Sequence, residues 1–87
     1  MLNIRIYFFG IYRELNMDYI FIEIPKNSNI LFLREKLIEL FKTNNFKINY
    51  LVLLESSVFA DENNILNDDY VFIKDYVVTL LPPVSGG

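Results

Sequence analysis

The hexapeptide Pro82-Pro83-Val84-Ser85-Gly86-Gly87 is where residue type and spacing offer chemistry in this chain. Only three glycines occur among 87 residues, and two of them are the last two. Proline fixes its own φ and disfavours helix in the residue before it, so a strand ending in Leu80-Leu81 is expected to run on extended and leave its sheet. Ser-Gly-Gly carries almost no side-chain bulk and suits a channel too narrow for larger residues. The group on offer is the α-carboxylate of Gly87. Adenylation by an ATP-using partner makes AMP a leaving group; a sulfur donor then leaves a thiocarboxylate, and a lysine leaves an amide. A bare Gly-Gly end also fits a frayed terminus. The full hexapeptide after a hydrophobic strand is more specific.

The rest of the composition narrows the chemistry by exclusion. The chain has no Cys and no His, which removes thiol nucleophiles, disulfides, zinc fingers and imidazole acid–base catalysis. A net charge of −3 and a pI near 4.7 lack the basic footprint that nucleic acid requires. Residues 1 to 47 sum to +2 and residues 48 to 87 to −5. Glu55, Asp61, Glu62, Asp68, Asp69 and Asp75 make up the acidic excess; they either steer a basic partner or are solvated loop charges. No export signal or membrane span is read, which places the protein in the cytoplasm as an expectation.

The elements that must position the tail follow from periodicity. Leu2, Ile4, Ile6 and Phe8 alternate with Asn3, Arg5, Tyr7 and Phe9, the period-2 pattern of a strand with one buried face. After Gly10 and a short connection through Arg13-Glu14-Leu15, alternation resumes with Ile20, Ile22 and Ile24 inward, and Pro25 stops it. Ser28 or Asn29 is placed to cap a helix in which Ile30, Leu33, Leu37, Leu40 and Phe41 form the apolar stripe, with Arg34, Glu35, Lys36, Glu39 and Lys42 pointing away. The apolar run Tyr50 to Leu54 reads as a central strand, Val58 to Ala60 as a short one and Asp61 to Asn64 as a loop. Tyr70 to Ile73 and Val77 to Leu81 read as further strands. The expected fold class is α+β: a domain over 1–81 with a mixed sheet of four to five strands crossed by one main helix, then an extended flexible tail over 82–87.

On these residues the chain resembles the small subunit of molybdopterin synthase, a sulfur-carrier family with the ubiquitin-like β-grasp fold. The resemblance rests on Ile6-Tyr7-Phe8-Phe9 with Arg13-Glu14-Leu15, the single helix from about Asn29, and Val78-Thr79-Leu80-Leu81 running into the Pro-Pro-Val-Ser-Gly-Gly end. The chain departs from the family pattern at Ala60-Asp61 and at Lys74 to Val77. The resemblance implies that an ATP-dependent adenylating enzyme activates Gly87 and that sulfur transfer gives a thiocarboxylate. The charged tail then enters the large synthase subunit and donates sulfur to cyclic pyranopterin monophosphate, building the molybdenum cofactor. It further implies a heterotetramer, catalytic groups on the large subunit, and no cofactor bound by this chain itself.

Carried over by position, Gly87 holds the sulfur, Gly86, Ser85 and Val84 occupy the channel, and Pro82 and Pro83 set the exit direction. The resemblance also implies an apolar docking patch of Phe9, Ile65 and Leu81. For Phe9 the alternative is a minor core under a loop. Arg13 pairs either with a partner acid or in a surface salt bridge worth about 0 to 1 kcal/mol. Other readings of the Gly-Gly end are a carrier for thiamine or tRNA thiolation, a protein modifier joined to lysines, and a β-grasp interaction domain with an inert tail.

Overall fold

The computed structural model describes residues 1–83. The alternating N-terminal segment is strand β1, Leu2–Phe8, and it pairs antiparallel with β2, Tyr19–Ile24. Between them lies a 3₁₀ helix, Gly10–Leu15, where only an irregular connection is expected from the sequence; it drives Tyr12 fully into the core. Helix α1, Ile30–Thr43, follows, and Asn29 rather than Ser28 caps it, its side-chain oxygen accepting from the Phe32 N–H at 2.9 Å. Ile30, Leu33, Leu37 and Phe41 are buried as the spacing predicts.

Two members of that helix pattern behave differently. Leu40 is exposed, because the buried stripe is narrower than the apolar run. Arg34 does not face solvent. Its side chain is only 12% exposed and lies over the Phe59 ring at 5.4 Å from the centroid.

The segment Tyr50 to Leu54 is not a strand but part of helix α2, Ile48–Ser56. A short continuous apolar run fits a buried strand and a buried helix equally well. Burial resolves it: Tyr50 and Leu54, four apart, are inside, while Val52 between them is 60% exposed. Next come β3, Val58–Ala60, and β4, Ile65–Leu66, the latter too short to leave a periodic signal. Tyr70 to Ile73 forms no strand of the sheet. Its backbone bonds instead to the entry of α1, with Ile30 N–H donating to the Tyr70 carbonyl and Phe72 N–H to the Ser28 carbonyl, leaving a single bridge between Asn29 and Val71. The last strand is β5, Tyr76–Leu81.

The five strands form one mixed sheet in the order β2-β1-β5-β3-β4, with β5 parallel to β1 and the other neighbours antiparallel. Register makes one row of Phe8, Leu80, Phe59 and Leu66 across four strands, and every member is buried. The parallel row of Tyr7, Thr79, Ala60 and Ile65 lies on the opposite face, which carries no helix-facing core residue. Both helices serve the first face. No helix of the described residues is long and apolar enough to cross a membrane.

Candidate functional site

The end of β5 is where the segment singled out in the sequence begins, at Pro82 and Pro83. Phe8 pairs with Leu80 in the parallel β1–β5 ladder, so the next residues, Phe9 and Leu81, both turn to the outer face. Phe9 has extended backbone (φ −136°, ψ 155°) and is 57% exposed; Leu81 is half-buried. Val58 of β3 lies opposite Leu81 in register and is half-buried on the same face. Ile65, 60% exposed, belongs to the neighbouring row two strands further on. The structure therefore brings Phe9 and Leu81 together at the tail's base and sets Ile65 farther along the same face.

Pro82 and Pro83 follow immediately. Gly10, after the end of β1, has φ +61°, and a Cβ built on it would lie 2.8 Å from Pro82 Cγ and 3.4 Å from Cδ. Both the left-handed backbone and the close approach require glycine here. The residue that interrupts the first strand's pattern is thus also what lets the chain cross beneath Pro82. Val84, Ser85, Gly86 and Gly87, the remaining predicted tail residues, lie outside the described residues.

Arg13 stands in the last turn of the 3₁₀ helix and pairs with Asp18 at 3.2 Å, both side chains well exposed. That is the surface ion pair of the plainer reading, with a small energetic value.

Behind the site, Arg34 fixes the junction between α2 and β3. One guanidinium nitrogen donates to the carbonyls of Leu54 (2.6 Å) and Ser57 (2.5 Å), and the other meets Asp68 at 3.2 Å. A cation at the end of a helix satisfies carbonyls that have no intrahelical donor and is favoured by the helix dipole. Ser57 is tied a second time: its hydroxyl donates to the Leu53 carbonyl at 2.7 Å, so the buried Tyr12 hydroxyl at 2.6 Å is the donor to Ser57 Oγ. Burial pushes the Tyr12 phenol up from its ordinary value. These two clamps hold Val58 where β3 begins, beside Leu81.

Three of the six acidic residues in the C-terminal half are engaged within the chain. Asp68 holds Arg34, Asp75 accepts from the Asn3 N–H at 2.8 Å, and Asp61 accepts from the N–H groups of Asn63 and Asn64 and from the Tyr76 hydroxyl. The Tyr76 bond, then the two backbone bonds, lower the Asp61 pKa, and the same carboxylate raises that of Tyr76. Asp61, Glu62, Lys74 and Asp75 line an open cleft with Tyr76 and Val77. No group of three or more potential metal-ligating acidic side chains gathers among the described residues.

One cluster has no counterpart in the sequence reading. The Arg5 guanidinium carbon lies 5.0 Å from the Phe21 ring centroid, 5.2 Å from that of Tyr19 and 6.0 Å from that of Tyr7, on the outer face of β1 and β2. The cross-strand register makes it, since Arg5 sits opposite Phe21 and Tyr7 opposite Tyr19. Arginine on aromatic faces is favoured electrostatically. The only hint in the sequence is the coincidence of outward positions on two strands whose register was unknown.

No family model matches the chain, and no curated protein matches it. Solved structures do. "Putative molybdopterin converting factor, subunit 1" from Pyrococcus furiosus is 22% identical with a TM-score of 0.65, over 97% of this chain and 100% of its own. SAMP1 from Haloferax volcanii is 13% identical with a TM-score of 0.68, over 98% and 99% of the two chains. The ubiquitin of Caldiarchaeum subterraneum is 14% identical with a TM-score of 0.62, over 99% and 98%. These likenesses span whole chains and show the fold: an α+β, ubiquitin-like β-grasp.

Proposed function

We propose that the chain is a sulfur carrier whose C-terminal glycine is adenylated by an ATP-dependent partner and converted to a thiocarboxylate, and that it serves as the small subunit of a molybdopterin synthase. The observation that carries this reading is the meeting of two features at one place. The Pro-Pro-Val-Ser-Gly-Gly sequence begins where β5 ends, and Phe9 and Leu81 turn outward at that point. A partner that docks on the apolar side chains has the start of the tail beside it. In that complex this chain supplies the slender arm and the docking surface. The resemblance assigns the acid and base groups for sulfur transfer to the large subunit, which fits a chain without His or Cys.

The wording of the Pyrococcus neighbour's name supports the molybdenum route over the thiamine and tRNA routes. The likeness to an archaeal ubiquitin keeps a second reading, a modifier joined to lysines through Gly87. ATP–pyrophosphate exchange with the adenylating enzyme tests the shared first step. The full chain supports exchange, and a chain lacking Gly87 does not. Transfer of sulfur to cyclic pyranopterin monophosphate in the presence of the large subunit marks the carrier, whereas Gly-Gly remnants on target lysines mark the modifier. Exchange that is indifferent to loss of Gly87 contradicts both.

A further inference from the structure

We propose that β2 is a self-pairing edge, through which two copies of this chain join antiparallel into one continuous sheet. The two sheet edges are unlike. β4 is two residues long, a common way of blunting an edge, whereas β2 runs for six residues, Tyr-Ile-Phe-Ile-Glu-Ile, with no proline or lysine inside it. Among the described residues only β1 pairs with it.

The register tells which backbone groups are unused. Phe8 N–H donates to the Asp18 carbonyl at 3.0 Å, which makes Phe8–Asp18 a hydrogen-bonded pair of the β1–β2 ladder. Such pairs alternate along an antiparallel ladder, so Ile20, Ile22 and Ile24 bond inward to β1. The N–H and C=O groups of Tyr19, Phe21 and Glu23 then point away from the sheet.

A second copy satisfies all of them in one register, with Phe21 opposite Phe21 of the copy and Tyr19 opposite Glu23. A shift in either direction strands Tyr19 or Glu23 at one end, and centring on Glu23 opposes two carboxylates. In the chosen register the outer face gains a cross-strand aromatic pair at its centre, from side chains that are 50% exposed in the single chain. The inner face sets half-buried Ile20 against Ile22 of the copy. The two-fold operation also keeps both α1 helices on one side. There Leu40, the apolar residue the core leaves exposed, lines a groove beside β2 with Lys36, Glu39 and Thr43. Both charge signs occur on that rim, so the copy does not meet a single-sign field. β3 and β4 remain at the far edges, and the Phe9–Leu81 end stays clear.

Sedimentation velocity of the full chain over a dilution series tests this. The wild type passes from monomer toward dimer as concentration rises to millimolar. Phe21→Lys, which places two ammonium groups opposite each other across the junction, also loses the Arg5 contact and so lowers the thermal midpoint. Measured below that midpoint, where the chain is folded, it moves the dimerisation midpoint at least about tenfold higher. Amide exchange provides a reading that needs no variant: Tyr19, Phe21 and Glu23 amides gain protection with concentration while those of Ile65 and Leu66 do not. A wild type that stays monomeric, a Phe21→Lys chain that dimerises equally well, or protection confined to the β4 edge overturns the proposal.

Discussion

Gly10 and Pro82, 72 residues apart in sequence, are in contact at the point where the tail leaves the sheet, and the space between them does not admit a methyl group. The left-handed φ of Gly10 makes the turn into the 3₁₀ helix, and the missing side chain makes room for the proline ring. One residue thus couples the end of β1 to the position of Pro82.

Gly10→Val is therefore expected to destabilise by on the order of 1–3 kcal/mol through its positive φ, and to displace Pro82 as well. Thermal unfolding reads the first effect and the NMR shifts of Pro82 and Leu81 the second. Unchanged shifts at both residues would show that the tail base is set without Gly10.

Arg34 donates to two main-chain carbonyls, those of Leu54 and Ser57, and to the Asp68 carboxylate, so its removal leaves the two carbonyls without this donor. Arg34→Ala is expected to cost about 2 kcal/mol, seen as a lower denaturant midpoint. Arg34→Lys should recover little, because an ammonium cannot reproduce the planar fork that reaches two carbonyls and Asp68 together. Full recovery by lysine would reduce the interaction to charge alone.

These two positions show what the sequence could and could not reveal. Period-2 burial in Leu2–Phe8 and the capped stripe of α1 are local patterns, and both are legible directly. Arg34 looks like any charged residue on a helix surface, since its acceptors come from a helix twenty residues away whose apolar run suits a strand equally well. Tyr70 to Ile73 has the alternation of a strand but bonds to the entrance of α1 instead of to the sheet. In the candidate site, the outward turn of Phe9 follows from parity alone. Its adjacency to Leu81, and the fit of Gly10 under Pro82, depend on the parallel register of β1 with β5, which no local pattern encodes.

Asp61 and Tyr76 give a pH dependence of known sign. The Asp61 pKa is lowered in the folded chain, so its contribution to stability is present above the ordinary aspartate value of 3.8 and is lost as pH falls through the lowered value. Tyr76 is raised by the Asp61 bond and by Tyr70 beside it, so its contribution is present below the ordinary value of 10.0 and is lost as pH rises beyond it. Asp61→Asn should flatten the acid limb of the stability profile and bring the Tyr76 titration closer to normal. A Tyr76 titration unmoved by that substitution would contradict the pairing.

Phe9→Ala tests the proposed docking patch apart from folding. At 57% exposure, Phe9→Ala is expected to change stability by no more than about 0.5 kcal/mol. Binding to the large-subunit partner should weaken about tenfold or more, as for a central aromatic anchor. Calorimetric binding alongside thermal unfolding checks both. Lost stability with intact binding would return Phe9 to a structural role.

The intact mass of the chain after incubation with ATP, a sulfur donor and the adenylating enzyme tests the carrier role most directly. The expected product is heavier by the difference between one sulfur and one oxygen, with the change confined to a C-terminal fragment containing Gly87. A mass that stays constant while the enzyme thiolates another carrier under the same conditions would contradict it.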